Sequence, residues 1–398
     1  MPTSAHRFSA PLVVLLSGST LTVLAGAVLA PVLELLRADL DISPGAAGLL
    51  LTVHGLTLAL VGPLVGWSMD RWGVRGPLAA GLVLYGVAGG AGLLGGPYPV
   101  LLAGRLVFGV GAAAVFTGTT LGLLDRYQGA TRDRVMGWRS AAMSLGGVLW
   151  PLAGGALGEI SWRAPFAVYL LGVPLGLATL RVLPRRPADA GRADRPPAGP
   201  ATVPPRLLAV YGLQAVATML LYGVLVFLPP RLAELGVNGS LRVAGFTATL
   251  SLAMTLTGLG YARARARVGD NRLLLLAFAS WTIALAVVGG GDLPVLLLAA
   301  SALFGVGMGL AVPALTVLVA EYAPDGRRGR ATALLATATF ASQAATPVLL
   351  GPVQTGTSLS GVFFATSAVS AVVLVLLLGR LRRPPTRHST DDQQPAAG

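Results

Sequence analysis

The chain of 398 residues is 54% hydrophobic and only 11% charged, and it contains no cysteine. A soluble domain carries about 25% charged residues, so these charges are too few to cover a water-facing surface, and a large soluble enzyme is excluded. The 29 Lys and Arg positions are all arginine, against 16 acidic residues, and they cluster between long apolar runs. That pattern indicates membrane topology rather than nucleic-acid binding.

Twelve apolar stretches between the charges are each long enough for one spanning helix of roughly 20 residues. In chain order they fall within the intervals 7–34, 41–70, 75–105, 98–124, 139–159, 163–181, 206–231, 242–263, 272–292 and 292–321, with two more between 330 and 380. We expect the stretch from Gly351 to Gly356 to divide the last interval. The sequence therefore predicts an all-α polytopic membrane protein with twelve transmembrane helices.

Arginine placement predicts how the chain is oriented in the membrane. If the N-terminus is cytoplasmic, 24 arginines lie in cytoplasmic segments, Arg139 among them, and four lie outside, with Arg105 left inside a span. Positive charge favours the cytoplasmic side, so both termini are expected there. The lysine-free composition rich in Ala, Gly and Arg is typical of a GC-rich bacterial genome. We therefore expect a multi-pass protein of a bacterial cytoplasmic membrane.

An internal repeat appears when the sequence is shifted by 196 residues. The block Phe108 to Gly111 then falls on Phe304 to Gly307, with Phe-Gly-Val-Gly at both places. We interpret this as duplication of a six-helix unit, the construction of secondary transporters whose substrate site lies between two halves. The expected organisation is a bundle at 1–183, a cytoplasmic linker at 184–206, a second bundle at 207–380 and a tail at 381–398.

The loop after the second span reads GWSMDRWGVR from residue 66 to residue 75. It resembles the signature loop of the major facilitator superfamily, G-x-x-x-D-R-x-G-x-R. The resemblance implies alternating access with this loop as part of the gate; the alternative is that these are ordinary charges of an inside loop. Gly66 would allow close helix approach, Asp70 could face the start of a helix near Arg330, and Arg75 could pair with Asp125. The residues assigned to gating are Gly66, Asp70, Arg71, Gly73, Arg75 and Asp125.

The fourth span contains Arg105, Gly109 and Gly111 in a pattern that looks like the superfamily's R-x-x-x-G-x-G, found in proton-coupled members. An arginine at this depth is costly unless it is paired or hydrated, so we expect Arg105 to face the central cavity. The alternative is an arginine that snorkels to the outer interface. The glycines are expected to serve helix packing.

The fifth span is similar to the G-x-x-x-G-P-x-x-G-G motif of the drug/proton antiporters within the superfamily, with Trp150 in place of a glycine. A bulky ring there changes the close helix contact that a glycine would supply. The motif residues, which we assign to helix packing, are Gly146, Pro151, Gly154 and Gly155.

His54 lies near the middle of the second span, where an imidazole with an ordinary pKa of about 6.5 would suit proton exchange. A neutral histidine bonded to a neighbouring helix is an equally simple reading. Gln214, Tyr222 and Gln343 are expected to line the cavity from the second half. No carboxylate is expected at mid-membrane depth, which is awkward for an exporter of cations.

These features predict a secondary transporter and not an enzyme, because the chain has neither a phosphate-binding loop nor a metal-ligand cluster. We expect proton-coupled efflux of small amphipathic compounds by a monomer in the lipid bilayer, with no cofactor, no metal and no nucleic acid. One alternative is uptake or exchange of a small anion, with Arg105 as its binding charge. Another is a membrane sensor that transports nothing.

Overall fold

The computed structural model describes residues 9–184, 203–324 and 328–382. The predicted linker and tail lie largely outside these ranges. Twelve helical segments of the described chain are long and apolar enough to cross a membrane, and no strand occurs among those residues. The α-helices of the described ranges are α1 Ala10–Ala27, α2 Leu33–Asp39, α3 Pro44–Thr52, α4 His54–Trp72, α5 Arg75–Gly90, α6 Tyr98–Arg126, α7 Gly129–Gly158, α8 Gly172–Val182, α9 Pro205–Glu234, α10 Ser240–Val268, α11 Asp270–Gly290, α12 Pro294–Tyr322, α13 Arg328–Gly356 and α14 Leu359–Arg382.

The internal repeat is visible in the helix boundaries. Helix α6 and helix α12 both begin and end 196 residues apart, and α10 matches the stretch from the start of α3 to the end of α4 at the same offset. Gly73 and Gly269 follow the matched helices with φ of 75° and 77°. A side chain at either position would be strained, so both turns favour glycine. We call α1–α8 the first half and α9–α14 the second half.

Two predicted boundaries differ from the observed ones. The stretch from Gly351 to Gly356 was expected to break the helix, but α13 continues through it and ends at Gly356. The break between the last two spans therefore follows this stretch. Helix α7 begins at Gly129, ten residues before Arg139. The charges had been taken as loop markers, but a long helix carries its arginines beyond the loop and into the bundle. Arg139 is therefore a helix residue and not a loop residue.

Small residues bring the helices of each half into close contact. A Cβ added to Gly109 would lie 2.7 Å from the His54 carbonyl oxygen of α4, and one added to Gly111 would lie 2.8 Å from the Gly81 oxygen of α5. In the second half a Cβ on Gly307 would lie 3.0 Å from the Ala277 oxygen of α11. The repeated Phe-Gly-Val-Gly block therefore packs one helix against two neighbours in both halves.

The two halves meet at the end of the bundle where α7 ends and α10 begins, which we call the opposite end. There Gly155 of α7 would place a Cβ 2.8 Å from the Ser240 oxygen. The Glu159 carboxylate accepts a hydrogen bond of 2.9 Å from the Leu241 N–H. Gly45 of α3 packs against Gly351 of α13, with 3.5 Å between its added Cβ and the Gly351 Cα.

At the other end, which we call the arginine-rich end, the halves diverge. Gly55, Gly62 and Gly66 lie on one face of α4, because residues seven and eleven positions apart share a helix face. A Cβ on Gly55 would lie 2.9 Å from Gln343 of α13, whereas one on Gly62 or Gly66 would meet no atom within 4 Å. In this conformation Gly66 therefore does not make the expected close helix contact.

Candidate functional site

A cavity of about 390 Å³ lies between the two halves. Its wall comes from α1, α4, α6 and α7 of the first half and from α9, α10, α12 and α13 of the second. The lining is mostly apolar, and no Asp or Glu lines it among the residues that the structure describes. Its polar side chains include Thr22, His54, Ser144, Gln214, Thr218, Tyr222, Ser251, Thr255, Thr339 and Gln343.

The four predicted cavity residues His54, Gln214, Tyr222 and Gln343 all line this cavity. His54 begins α4 directly after a break at Val53, and its side chain is only 3% exposed. The amide nitrogen of Gln214 lies 3.3 Å from the Thr218 hydroxyl one turn later on α9.

His54 and Gln343 form a hydrogen bond across the two halves. The Gln343 amide nitrogen lies 3.1 Å from Nε2 of His54. An amide N–H donates, so Nε2 accepts, and the imidazole is neutral with its proton on Nδ1. Nδ1 has no hydrogen-bond partner within the described part of the chain. The bond therefore connects the halves at a titratable group on the cavity wall.

Arg105 occupies a different place from the one expected. It is not among the residues lining the cavity, and it does not snorkel to an interface, because it is only 3% exposed. Its Nε donates to the Leu50 carbonyl oxygen at 2.9 Å and its Nη2 to the Ala25 carbonyl oxygen at 2.6 Å. Two backbone oxygens thus accept from the guanidinium, while its Nη1 has no partner in the described chain. Arg105 is therefore inside the first half, behind the cavity.

The two carbonyls that Arg105 binds belong to interrupted helices. Helix α1 ends at Ala27, and the chain continues through a short 3-10 turn at Ala30–Val32; helix α3 ends at Thr52 just before α4. The last carbonyls of a helix have no partner within it. Arg105 thus holds both breaks together, and Tyr169 adds a hydrogen bond of 3.0 Å to the Ala25 oxygen.

Phe108 lies between Arg105 and His54. The Arg105 guanidinium carbon is 4.4 Å from the centre of the Phe108 ring, and the His54 ring meets the same ring edge-on, with centroids 5.5 Å apart. A cation is attracted to the face of an aromatic ring within about 6 Å. The Phe108 ring therefore separates the Arg105 guanidinium from the His54 ring on the cavity wall.

The predicted gating residues lie at the arginine-rich end. Gly73, Arg75 and Asp125 line a surface hollow of about 760 Å³, and Arg75 donates to the Leu180 carbonyl oxygen through Nε at 3.0 Å. Asp70 and Arg71 are exposed. Arg330 lies in the first described turn of α13, and its position opposite Asp70 stays a prediction. The gating role itself stays a prediction.

The residues of the fifth-span motif surround a substituted position. The Trp150 indole N–H donates to the Thr20 carbonyl oxygen at 3.0 Å, and its ring lies against Gly146. A Cβ on Gly154 would overlap the Val28 carbonyl oxygen of the first span. Pro151 lines the cavity. The tryptophan therefore fills the groove between α1 and α7 instead of separating these helices.

One charged residue near the cavity was not predicted to have a role. Arg139 is 9% exposed, and its guanidinium carbon lies 5.7 Å from the ring centre of Phe116, which lines the cavity. Helical spacing in the sequence could have indicated its position, because Arg139 stands four residues before Met143 and eight before Gly147. Both of these residues line the cavity.

Comparison with known proteins gives concordant results for family and fold. The profile described as the Major Facilitator Superfamily matches residues 15–260 and 210–397. Multidrug resistance protein 1 of Bacillus subtilis is 30% identical over 182 residues, which are 45% of this chain and 47% of that protein. Quinolone resistance protein NorA of Staphylococcus aureus is 29% identical over 136 residues, or 34% and 35% of the two chains. The matches thus span less than half the length of these relatives.

Among solved structures, the xylose transporter XylE of E. coli in an inward open conformation superimposes with a TM-score of 0.76. The two chains share 16% sequence identity over 95% of this chain and 97% of the other. At this identity the likeness concerns the fold alone.

Proposed function

This chain belongs to the major facilitator superfamily, and from that premise we propose that it exports small amphipathic compounds by alternating access coupled to proton entry. The observation that carries the proposal is the mostly apolar cavity of about 390 Å³ between two halves that pack closely at the opposite end. Small-molecule sites have this composition, apolar walls with a few placed polar groups. The names of the two relatives, both resistance proteins, support export.

Alternating access would proceed by exchange of the contacts between the halves. In the present state the Glu159 bond to Leu241 and the glycine contacts of α7 and α3 close the opposite end. We assign the arginine-rich end to the cytoplasm, because positive charge accumulates on that side. A compound then enters from the cytoplasm and leaves after the halves have rocked about the cavity.

His54 would couple this movement to protons. As long as the imidazole is neutral, Nε2 accepts the Gln343 N–H and holds α4 against α13. A protonated imidazole carries N–H groups on both nitrogens, so the Gln343 amide must turn or move away. Protonation would therefore weaken a bond between the halves at the depth of the cavity. We propose that this step links proton uptake to opening at the opposite end.

The alternative function, uptake or exchange of a small anion, relied on Arg105 as the binding charge. Arg105 lies behind the cavity wall and does not line the cavity, so this argument no longer supports it. Strongly cationic substrates also gain no support, since none of the described lining residues is acidic. Neutral and weakly anionic amphiphiles fit the lining best.

Transport by inverted vesicles tests the proposal. The vesicles come from an efflux-deficient host with or without the protein, and the probe is the neutral amphiphile N-phenyl-1-naphthylamine. We expect accumulation inside vesicles that contain the protein, severalfold above control vesicles, and its collapse on addition of an uncoupler. Accumulation that ignores the uncoupler would refute proton coupling. Absence of movement for a wider panel of neutral and anionic amphiphiles would refute export and favour the sensor.

A further inference from the structure

Arg139 is a buried cation with two unused hydrogen-bond donor atoms. Its side chain leaves the middle of α7, and the residue is only 9% exposed. Nε and Nη2 are both buried and have no hydrogen-bond partner among the described residues. The described contact of the guanidinium is the face of Phe116, 5.7 Å from its carbon. A buried charge without hydrogen bonds is costly, so this arrangement calls for a partner that is absent here.

Arg139 lies one turn from the cavity on the side from which a ligand would enter. Residues four apart share a helix face, and Met143, Gly147 and Pro151 of that face line the cavity. Ten residues separate Arg139 from the start of α7, which places it about 15 Å along the helix from the arginine-rich end. Phe116 meets Phe340 of the second half edge-on with centroids 5.5 Å apart. The cation therefore adjoins an aromatic pair that belongs to both halves.

Three described helix stretches that are level with Arg139 or on its cavity side carry no carboxylate. Helices α7 and α10 are antiparallel and pair Gly147 with Ser251 and Gly158 with Ser240. This register brings the stretch 252–268 level with Arg139, and it contains arginines and no Asp or Glu. Helix α1 contains no Asp or Glu, and the stretch 331–356 of α13 contains none either. On α7 itself Asp133 stands six residues earlier, and its side chain lies outside the described residues.

We propose that Arg139 binds the anionic group of the transported compound, so that the preferred substrates are amphipathic monoanions with a flat aromatic body. This inference rests on the proposed export function and names its substrate class. The guanidinium fork fits a carboxylate with two parallel hydrogen bonds, and the rings of Phe116 and Phe340 offer faces and edges for an aromatic body. Arg105 lies deeper, behind the cavity wall, with Nε and Nη2 bonded to the Leu50 and Ala25 oxygens, although its Nη1 has no partner among the described residues.

Binding of a matched series of probes tests the assignment. The probes are naphthalene-2-acetate, its neutral carboxamide and the cationic 2-(2-naphthyl)ethylamine, which share one ring system. The full-length protein is held in an uncharged detergent, and titration calorimetry measures each affinity. We expect the carboxylate to bind at least about tenfold more tightly than the carboxamide, since one charge-assisted hydrogen bond is worth about that factor. The amine should bind most weakly.

Two variants and one control isolate the residue. Arg139→Gln should remove the preference for the carboxylate while changing carboxamide affinity less than about twofold, and Arg139→Lys should restore part of it. Arg134→Gln removes a charge from an exposed position of the same helix and should leave the series unchanged. An equal loss for carboxylate and carboxamide in both Arg139 variants, or an unchanged preference in Arg139→Gln, would overturn the proposal. Thermal melts of all variants identify any that do not fold.

Transport separates this inference from the function on which it rests. If wild-type vesicles move the carboxamide but Arg139→Gln shows no selective loss of the carboxylate, export stands and the anion site falls. If the wild type moves none of the probes but binding shows the predicted preference, the site stands and export falls. A competing source of the same chemistry is an anionic lipid headgroup. Carboxylate binding that disappears in vesicles containing phosphatidylglycerol, but not in purely zwitterionic ones, would assign Arg139 to lipid instead of substrate.

Discussion

Arg105 shows how one side chain can support two interrupted helices. Its hydrogen bonds to the Leu50 and Ala25 oxygens satisfy carbonyls that the helices themselves leave unpaired. Each buried oxygen left without a donor costs about 1–3 kcal/mol. In Arg105→Ala the Ala25 oxygen keeps the Tyr169 hydroxyl as a donor, whereas the Leu50 oxygen loses its side-chain donor. We therefore expect Arg105→Ala to lower the melting temperature in detergent by about 1–4 °C.

Arg105→Lys should restore only part of this stability, because a single ammonium cannot copy the spread of a guanidinium between two carbonyls. Arg71→Lys is the matched control, since Arg71 is exposed at the end of α4. A melting temperature of Arg105→Ala equal to that of the wild type would show that the helix breaks hold without the arginine.

The hydrogen bond from Gln343 makes His54 the residue whose replacement should separate movement from proton drive. His54→Gln keeps a side chain that can bond to Gln343 but cannot be protonated. We expect substrate to run down its own gradient in proteoliposomes at a rate within about twofold to threefold of wild type, while accumulation driven by a pH gradient is lost. Gln214→Ala alters another buried cavity residue and should retain the drive. Proton-driven accumulation by His54→Gln would place the coupling group elsewhere.

The sequence predicted two polar residues of the cavity wall, but it did not predict the surroundings of the two buried arginines. His54 and Gln343 were recognisable because polar groups are rare at mid-membrane depth. The same rule suggested that Arg105 needs water, but backbone oxygens at broken helices solvate it, and sequence does not reveal where a helix breaks. Arg139 escaped notice because it adjoins a cluster of loop arginines and was counted with them.

At the scale of helices, close contact between α7 and the first span depends on Gly154. A Cβ there would overlap the Val28 carbonyl oxygen, and a backbone atom cannot turn away as a side chain can. Gly154→Ala should therefore reduce the free energy of unfolding by about 1–3 kcal/mol, measured by thermal or denaturant unfolding in micelles.

Gly62→Ala is the control for this prediction, because its added Cβ meets no atom within 4 Å in this conformation. Alanine also has the higher helix propensity. We expect Gly62→Ala to be neutral or slightly stabilising. A tolerated Gly154→Ala would mean that α1 and α7 shift apart at little cost.

The number of helices and the repeat were predictable, because the length of an apolar stretch and a constant offset are properties of the sequence itself. The residues at which helices end were harder to predict. The start of α7 at Gly129 and the continuation of α13 to Gly356 run through polar, small and proline residues that are equally typical of a loop. The break between α3 and α4 was also hard to predict, since the matching stretch of the second half is one continuous helix, α10.

For the whole molecule, the present state is defined by close contacts between the halves at the opposite end and by open space beside Gly62 and Gly66 of α4 toward the arginine-rich end. A charge-assisted contact between the halves at the opposite end is the Glu159 carboxylate on the Leu241 N–H at the start of α10. A carboxylate at a helix N-terminus is worth about 0.3–1 kcal/mol, which changes a two-state ratio by about twofold to fivefold. Glu159→Ala should therefore shift the population toward opening at this end.

Distance measurements between two spin labels would detect the shift, and the chain's lack of cysteine allows labels at chosen sites only. Ile160→Cys and Asn238→Cys place labels at exposed positions of the two halves near the contact. We expect a longer distance component to grow in Glu159→Ala, and a smaller change in Glu159→Gln, whose amide oxygen still accepts a hydrogen bond. Glu234→Ala is the control, because Glu234 pairs with Arg231 within the second half, 3.0 Å away. An unchanged distance distribution in Glu159→Ala would show that the Glu159 charge is not needed to close this end. The packed surfaces of α3, α7, α10 and α13 would then hold the halves together.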